Sequence, residues 1–353
     1  MIKHAKKWVV GGALGAALAA APLAGMTAEQ WSMATAWGGG PFLKQDAEGF
    51  AKTVETLTNG DIKIQVFPGG TLGKALKVSD TVKSNVAQTG HTWMGYDWGI
   101  DKATVIFAGM SGGLQPEEAL IWLFQGGGAE LQFEYRKDQF GIASIPCGIF
   151  PTEVFLHSKK RIETLEDFQG LKMRTAGAWA EIAGNLGAST VILPGAEVYP
   201  ALERGVIDAT EWSSPSVNFP SGFHKIAKYV ITPGIHQPAA VQECVFNMDA
   251  WNGLTDGQRE TLTMAGKVMA LDSYTRYPYN DIAAVAAMRE HGNEFLQLSP
   301  DFIKAANEAA TAWADEQAAQ NEWFKKAYDH RNAFQAAIKA HWKSQFLFPL
   351  GVD

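Results

Sequence analysis

Residues 170–212 read GLKMRTAGAWAEIAGNLGASTVILPGAEVYPALERGVIDATEW, and this stretch decides the predicted fold. Short strand-like runs alternate with helical patterns, and glycines separate them. That alternation is typical of βαβ units, so we predict an α/β fold with a largely parallel sheet. Ligands of such folds bind beyond the carboxyl ends of the strands. Arg174 and Glu211 both lie at such ends.

A guanidinium and a carboxylate at neighbouring strand ends could hold an anionic ligand in a cleft. Arg174 would bind the anion directly through its planar fork, and Glu211 would bind it through a metal ion. The alternative is an ordinary salt bridge between the two side chains at a sheet edge, which would have no functional role.

Composition indicates a globular protein that is not a nucleic-acid binder. The chain has 353 residues, of which 46% are hydrophobic and 19% charged, and its formal net charge is −7. This length predicts two lobes. Such an acidic protein lacks the positive charge that phosphate backbones require.

The N-terminus resembles a secretory leader. Lysines at positions 3, 6 and 7 precede an apolar run from Trp8 to Ala24, and small residues follow up to Ala28. The run is shorter than a stable membrane span and is rich in glycine and alanine. We predict a Sec-type signal peptide, residues 1–28, cleavage near Ala28 and a periplasmic body. An uncleaved anchor is the alternative.

Cys147 and Cys244 are the only cysteines of the sequence. A disulfide bond is possible in an oxidising compartment. Because both lie in apolar surroundings, we expect two buried free thiols instead. Without CxxC spacing they do not form a zinc site.

Three further features of the sequence are an aromatic segment, a long helix and two C-terminal helices. GYDWGID, residues 95–101, could form an aromatic pocket wall, although core packing of its neighbour Trp93 and of Trp98 is equally compatible. A single long helix is predicted from Thr255 to Met288. Two more helices follow, over residues 301–324 and 327–346, and they could brace the lobes or form a dimer contact.

Several segments together resemble a known family, the solute-binding proteins of tripartite ATP-independent periplasmic (TRAP) transporters of the DctP type. The resemblance extends over nearly all of the exported body, and GYDWGID with the later Glu-Trp pair is similar to the branch that binds 2-oxo or 2-hydroxy carboxylates. The segments are VFPGGTLGKALKVSDTV (66–82), ETLEDFQGLKMRTAG (163–177), LPGAEVYPALERGVIDATEW (193–212) and PGIHQPAAVQECVFNMDAWNGL (233–254).

This resemblance implies a two-lobed clamp, the periplasmic-binding-protein fold, with a long helix that spans the lobes and extra C-terminal helices. Lobe I would comprise residues 29–151 plus 240–279, and lobe II residues 152–239 plus 280–353. The protein would deliver a small carboxylate to membrane permease subunits, and it could form a homodimer through its C-terminal helices.

The resemblance also implies a ligand site. Arg174 would pair with the ligand carboxylate, and a cation would bridge ligand and protein. The cation would be held by Glu211, the backbone carbonyl of Trp212, and side chains at Glu153 and Gln237. Calcium is favoured over sodium by the number of carboxylates.

This sequence departs from the family pattern at two of these positions. An amide is expected at Glu153 and a carboxylate at Gln237, and the two are exchanged here. The exchange leaves the total charge of the predicted metal ligands unchanged. Glu243 could contribute to the metal site instead. Two weaker candidates are Tyr96 as a hydroxyl donor and Trp179 as a pocket wall, each of which could equally be core.

Two other function classes remain open from the residues alone. A metal-assisted lyase or aldolase acting on 2-oxo acids would also use a cation beside an arginine. For such an enzyme the sequence offers no credible base or nucleophile, since His157, His224 and His236 are scattered along the chain. The third class is the solute-binding lobe of another importer or of a receptor. The sequence does not choose among pyruvate, lactate, longer 2-oxo acids and C4-dicarboxylates.

Overall fold

The computed structural model describes residues 28–345, so the predicted leader lies outside the described residues except for Ala28. The strands are β1 (Glu29–Thr35), β2 (Ile62–Phe67), β3 (Thr89–Trp93), β4 (Ile142–Phe150), β5 (Leu156–Ser158), β6 (Lys172–Arg174), β7 (Ser189–Val191), β8 (Ala209–Thr210), β9 (Tyr229–Thr232), β10 (Ala240–Asn247) and β11 (Glu294–Gln297).

The α-helices lie between and after these strands. They are α1 (Glu48–Leu57), α2 (Val78–Lys83), α3 (Thr104–Ala108), α4 (Pro116–Phe124), α5 (Gly128–Phe140), α6 (Leu165–Phe168), α7 (Trp179–Asn185), α8 (Gly195–Glu203), α9 (Pro215–Asn218), α10 (Met248–Gly253), α11 (Asp256–Glu290), α12 (Pro300–Gln320) and α13 (Glu322–Gln345). Within residues 28–345 no helix combines the length and the apolar character that crossing a membrane requires.

The strands form two sheets, one in each lobe. The first has the order β2-β1-β3-β10-β4 and the second the order β11-β9-β5-β8-β6-β7. The strands of residues 170–212 are parallel as predicted, because β6 pairs in parallel with β7 and β8, but both sheets as a whole are mixed. In the first, β10 is antiparallel to β3 and β4, and in the second, β5 is antiparallel to β8 and β9. The chain leaves the first lobe through β4 and returns through β10, so these two strands must run in opposite directions.

The long helix α11 connects the two lobes. It packs against β4 and α1 of the first lobe and against α9 of the second. Its start is fixed by a capping box, in which the Thr255 hydroxyl accepts from the Gln258 backbone N–H and the Gln258 side chain accepts from the Thr255 N–H. The predicted span, Thr255 to Met288, agrees with the observed Asp256–Glu290 to within two residues.

The last helix lies in a different place from the one expected. The sequence assigned residues 280–353 to lobe II, whereas α13 packs against α3, α4 and α5 of the first lobe. The Trp122 indole N–H donates to His330 Nδ1 at 3.1 Å, and Gln335 Nε2 donates to the Gly113 carbonyl oxygen at 3.1 Å. Helical periodicity fixes which face of α13 is apolar, but not which lobe that face covers. The other lobe boundaries remain a prediction.

Cys147 and Cys244 form a disulfide bond across β4 and β10, with their Cα atoms 5.7 Å apart. The expectation of two free thiols is therefore wrong. Spacing along the sequence could not reveal the bond, because the pair is brought together by the antiparallel alignment of two strands that are 97 residues apart.

Candidate functional site

A small pocket lies between the two lobes. The first lobe contributes mainly aromatic rings, and the second contributes the charged groups. The free volume is about 40 Å³, which is room for only a few water molecules and indicates a small ligand. The lining residues are Trp37, Phe42, Trp93, Tyr96, Ala240 and Gln242 from the first lobe, and Glu153, Arg174, Ala176, Glu211, Trp212, His236 and Gln237 from the second.

Arg174 and Glu211 are neighbours because β6 and β8 are parallel, with Arg174 opposite Thr210. Arg174 Nη1 donates to Glu211 Oε1 at 2.9 Å and to the Glu211 carbonyl oxygen at 3.3 Å, and Nε donates to the Leu193 carbonyl oxygen at 3.2 Å. The guanidinium carbon is 4.9 Å from the centre of the Trp212 ring. These contacts fix the orientation of the guanidinium.

One nitrogen of this guanidinium has no partner. Arg174 is 2% exposed, and its Nη2 atom makes no hydrogen bond within the described residues. A buried cationic donor without an acceptor is costly, so an anionic ligand oxygen is the group that this position requires.

Glu153 faces the same pocket from the segment that follows β4. Its Oε2 atom is 3.1 Å from His236 Nε2. Burial, and secondly the negative charge of Glu211, raises the pKa of Glu153 well above its usual value, whereas Arg174 lowers it. Burial lowers the pKa of His236 to about 4, so its imidazole is neutral near pH 7.

Glu153, Glu211 and His236 each offer one ligand atom, and these three atoms lie within 4.8 Å of one another. Two carboxylates so close together in a buried site repel each other, and a cation would relieve that repulsion. The residues therefore fit a hard metal ion, for which carboxylate and carbonyl oxygens are the preferred ligands.

Close packing of the backbone places His236 and Gln237 against Glu153. A Cβ atom at Gly234 would overlap the carbonyl oxygen of Glu153, so only glycine allows the two segments to approach in this way. The Glu153 N–H donates to the Gln237 carbonyl oxygen at 3.3 Å. Gln237 Nε2 donates to the carbonyl oxygens of Ala108 and Ala239, each at 3.0 Å, which leaves its side-chain oxygen for the pocket.

Tyr96 lines the pocket opposite these charged groups. Burial raises the pKa of its hydroxyl to about 12, with Arg174 acting in the opposite direction. The hydroxyl therefore keeps its proton and can donate to a ligand oxygen.

Two residues singled out in the sequence are not at the pocket. Glu243 accepts from Arg136 Nε at 3.0 Å and from the Ser144 hydroxyl at 2.7 Å, in a buried cluster that also holds Asp97. Trp179 lies behind the pocket, with its ring centre 6.1 Å from that of His236. Neither side chain lines the cavity.

The sequence interpretation missed His236, Gln242, Trp37 and Phe42. In the sequence His236 is one of several scattered histidines, although it is adjacent to Gln237, a predicted metal ligand. That adjacency was a usable signal, whereas no local pattern distinguishes Trp37 or Phe42 from core aromatics.

The sequence of the chain is similar to that of known proteins over most of its length. The model of bacterial extracellular solute-binding protein family 7, DctP, matches residues 33–321. A monocarboxylate 2-oxoacid-binding periplasmic protein of Nostoc sp. is 32% identical over 320 residues, which cover 90% of this chain and 87% of that protein.

Two crystal structures of TRAP periplasmic solute-binding proteins have the same fold. That from Pseudoalteromonas atlantica, with bound sodium and pyruvate, is 32% identical with a TM-score of 0.84, and the match covers 90% of this chain and 97% of the other. That from Colwellia psychrerythraea, with bound calcium and pyruvate, is 31% identical with the same TM-score and coverage.

These matches confirm the α/β fold with two lobes and the family resemblance seen in the sequence. The family and the matched proteins serve transport and do not catalyse a reaction. The chain therefore belongs to family 7 of the bacterial extracellular solute-binding proteins and is a TRAP transporter solute-binding protein, not an enzyme.

Proposed function

We propose that this protein captures a small 2-oxo or 2-hydroxy monocarboxylate of the pyruvate and lactate type in the periplasm and delivers it to the membrane permease of a TRAP transporter. The observation that carries the proposal is the unpartnered Arg174 Nη2 atom, which lies in a small buried pocket beside two carboxylates. The name of the Nostoc relative and the pyruvate in two similar structures support the same ligand class.

In this proposal, Arg174 Nη2 and the Tyr96 hydroxyl donate hydrogen bonds to the ligand. Arg174 Nε and Nη1 already have acceptors, so the ligand carboxylate meets one guanidinium nitrogen. The predicted two-nitrogen fork would require Glu211 to release Nη1. The aromatic rings of Trp37, Phe42 and Trp212 exclude water and limit the length of the ligand.

A cation completes the site. Its proposed ligands are Glu153, Glu211, the side-chain oxygen of Gln237 and the backbone carbonyl of Trp212, as the family resemblance implies. Glu243 is not included, because Arg136 and Ser144 already occupy its carboxylate. His236 would orient Glu153 through their hydrogen bond, as residues outside the metal shell commonly do.

Charge balance favours a divalent cation. Arg174 supplies one positive charge, whereas Glu153, Glu211 and a ligand carboxylate supply three negative ones. Calcium would bring the local sum to zero and sodium would leave it at −1, so we propose calcium as the preferred ion.

Isothermal titration calorimetry tests the proposal. Pyruvate, lactate, longer 2-oxo acids and C4-dicarboxylates would be titrated into chelated protein and into the same protein with calcium, sodium or zinc. We expect pyruvate-like acids to bind best, and chelation to weaken binding at least tenfold, about 1.4 kcal/mol. Full affinity in chelated, sodium-free buffer would remove the cation from the site. Preference for zinc would make His236 a metal ligand, since imidazole suits zinc and not calcium.

A matched pair of variants tests whether Glu211 belongs to the cation site. Glu211→Gln should weaken ligand and calcium together, because each completes the other's coordination and the coupling is reciprocal. Glu243→Gln is the control, since its carboxylate lies in the buried Arg136 cluster. It should affect stability more than the calcium dependence of binding.

A further inference from the structure

A second cavity lies directly behind the aromatic rings of the ligand pocket. Its volume is about 300 Å³, compared with about 40 Å³ for the pocket. We call it the outer hollow, and it is lined by residues 38–41 of the first lobe and by residues of α8 and of the segment 217–223 in the second. Three residues line both cavities, namely Trp37, Phe42 and Trp212. Their rings therefore form the partition between the ligand pocket and the outer hollow.

The charges of the pocket orient the proposed ligand. Its carboxylate and its 2-oxo or 2-hydroxy oxygen would meet Arg174 and the cation held by Glu153 and Glu211. The carbon chain then points towards the partition, because a methyl group placed against a buried charged group would deprive that group of polar contacts. The pocket has room for the methyl group of pyruvate, but a longer chain would have to pass the partition.

Phe42 is the member of the partition with a purely hydrocarbon side chain. Its ring centre is 4.7 Å from that of Trp37 and 6.4 Å from that of Trp212. The Trp37 indole N–H is bonded to His91 Nδ1 at 2.8 Å. The Trp212 ring lies 4.9 Å from the guanidinium carbon of Arg174. Removing the Phe42 ring would therefore open the partition and leave the polar contacts of the site in place.

The segment that carries Phe42 is fixed to the long helix. Phe42 begins a π-helical turn, Phe42–Ala47, and such turns are frequent at functional sites. Asp46 in this turn is buried and accepts from Arg276 Nη2 at 2.6 Å and from the Tyr277 hydroxyl at 2.5 Å, both on α11. With its backbone held in this way and its ring only 7% exposed, Phe42 forms a rigid wall.

We propose that Phe42 determines the chain length of the 2-oxo acids that this protein binds, by closing the outer hollow to chains longer than that of pyruvate. This assignment rests on the proposed function. Burial of one methylene group strengthens binding roughly fourfold. Once the partition is open, the three additional methylenes of 2-oxohexanoate would be buried in the outer hollow and would favour this acid over pyruvate.

Calorimetric titration of the calcium-loaded protein with pyruvate and with 2-oxohexanoate tests the assignment. We expect the wild type to bind pyruvate more tightly, and Phe42→Ala to bind 2-oxohexanoate at least tenfold more tightly than the wild type does. Phe42→Leu, which keeps more of the core filled, should change the preference in the same direction but less. A wild type that binds both acids equally, or a Phe42→Ala protein with the wild-type affinity ratio, would overturn the proposal.

Phe50→Ala is the matched control for the loss of a buried ring. Phe50 lies on α1 of the same lobe, is fully buried and lines neither the ligand pocket nor the outer hollow. This variant should lower the melting temperature but keep the wild-type affinity ratio of the two acids. An equal change of the ratio in Phe50→Ala would assign the effect to lost packing, and the proposal would fail.

Refilling the outer hollow tests where the chain of the longer acid lies. Ser221 lines the outer hollow but not the ligand pocket. Ser221→Phe alone should leave pyruvate binding unchanged, and in the double variant Phe42→Ala/Ser221→Phe it should abolish the gain for 2-oxohexanoate. A gain that persists would show that the chain runs elsewhere, which contradicts the proposal.

The wild type distinguishes a failure of this proposal from a failure of the proposed function. If it binds pyruvate with calcium and Phe42→Ala keeps the same preference, only the role of Phe42 is refuted. If the wild type binds no 2-oxo or 2-hydroxy acid, the proposed function is refuted, and the role of Phe42 is refuted with it.

Discussion

Replacing Gln237 with glutamate would introduce the carboxylate that the family resemblance implies for this position, and we expect it to destabilise the protein. The amide nitrogen of Gln237 donates to the carbonyl oxygens of Ala108 and Ala239 at 3.0 Å each, in buried surroundings. In glutamate an oxygen would take the place of this nitrogen, and it would face the two carbonyl oxygens without a hydrogen to donate. Ala108 would keep one donor, the Trp93 indole N–H at 3.0 Å, whereas within residues 28–345 no other donor replaces the one lost by the Ala239 carbonyl.

The cost follows from these contacts. Two hydrogen bonds are lost at about 1 kcal/mol each, and a buried carbonyl without its donor adds about 1–3 kcal/mol. We therefore expect Gln237→Glu to lower the free energy of unfolding by about 3–5 kcal/mol in the absence of a cation. The nearby carboxylate of Glu211 acts in the same direction.

Urea unfolding in chelator, followed by tryptophan fluorescence, measures this change. Gln237→Met is the control, because it removes both donors without adding charge and should be less destabilising. The double variant Glu153→Gln/Gln237→Glu keeps the charge of the shell and should still be less stable than the wild type. A Gln237→Glu protein as stable as the wild type would show that the two carbonyl contacts do not select the amide.

Three further predictions concern binding, pH and the disulfide bond. Arg174→Lys should weaken ligand binding by about 1.5–3 kcal/mol in calorimetric titration, because lysine cannot reproduce the planar set of donors of the guanidinium; near-unchanged affinity would contradict the assignment of Arg174 to the ligand carboxylate. Burial lowers the pKa of His91 to about 3, and its Nδ1 accepts from the Trp37 indole N–H at 2.8 Å. A folded-state pKa below the unfolded value of about 6.5 means that the stability contributed by neutral His91 is complete above pH 6.5 and is lost as the pH falls towards 3, so acidification from pH 7.5 to 4.5 should remove about 3 kcal/mol through this residue; His91→Gln should flatten the pH dependence, and an unchanged slope would refute this. The variant Cys147→Ala/Cys244→Ala should lose about 4–5 kcal/mol, because the disulfide spans 97 residues; an unchanged melting temperature would refute that estimate.

The pairing of Arg174 and Glu211 could be predicted because it depends on local rules. Arg174 ends β6 and Glu211 directly follows β8, and parallel strands bring such ends to one edge of a sheet. The sequence alone could not decide how Arg174 divides its donors between Glu211, the Leu193 carbonyl and a ligand, because that division depends on three separate segments.

The features that were missed depend on long-range geometry. Glu243 is a reasonable metal candidate by residue type, but successive side chains of a strand point to opposite faces, so Gln242 lines the pocket and Glu243 meets Arg136. Which face of β10 meets the pocket is decided by the neighbouring elements. The contact of His236 with Glu153 depends on the close approach at Gly234. No pattern within one segment encodes either arrangement.

The position of β10 in the first sheet has a consequence for the order of folding. β10 pairs with both β3 and β4, although it follows β4 by about ninety residues that build the second lobe. During synthesis or export from the N-terminus, β3 and β4 have no strand between them until residue 247 has emerged. Such non-local pairing slows folding and postpones closure of the sheet. The nascent chain should therefore stay extended and open to chaperones for most of its passage, and the first lobe should acquire resistance to proteases only after the second lobe has been made.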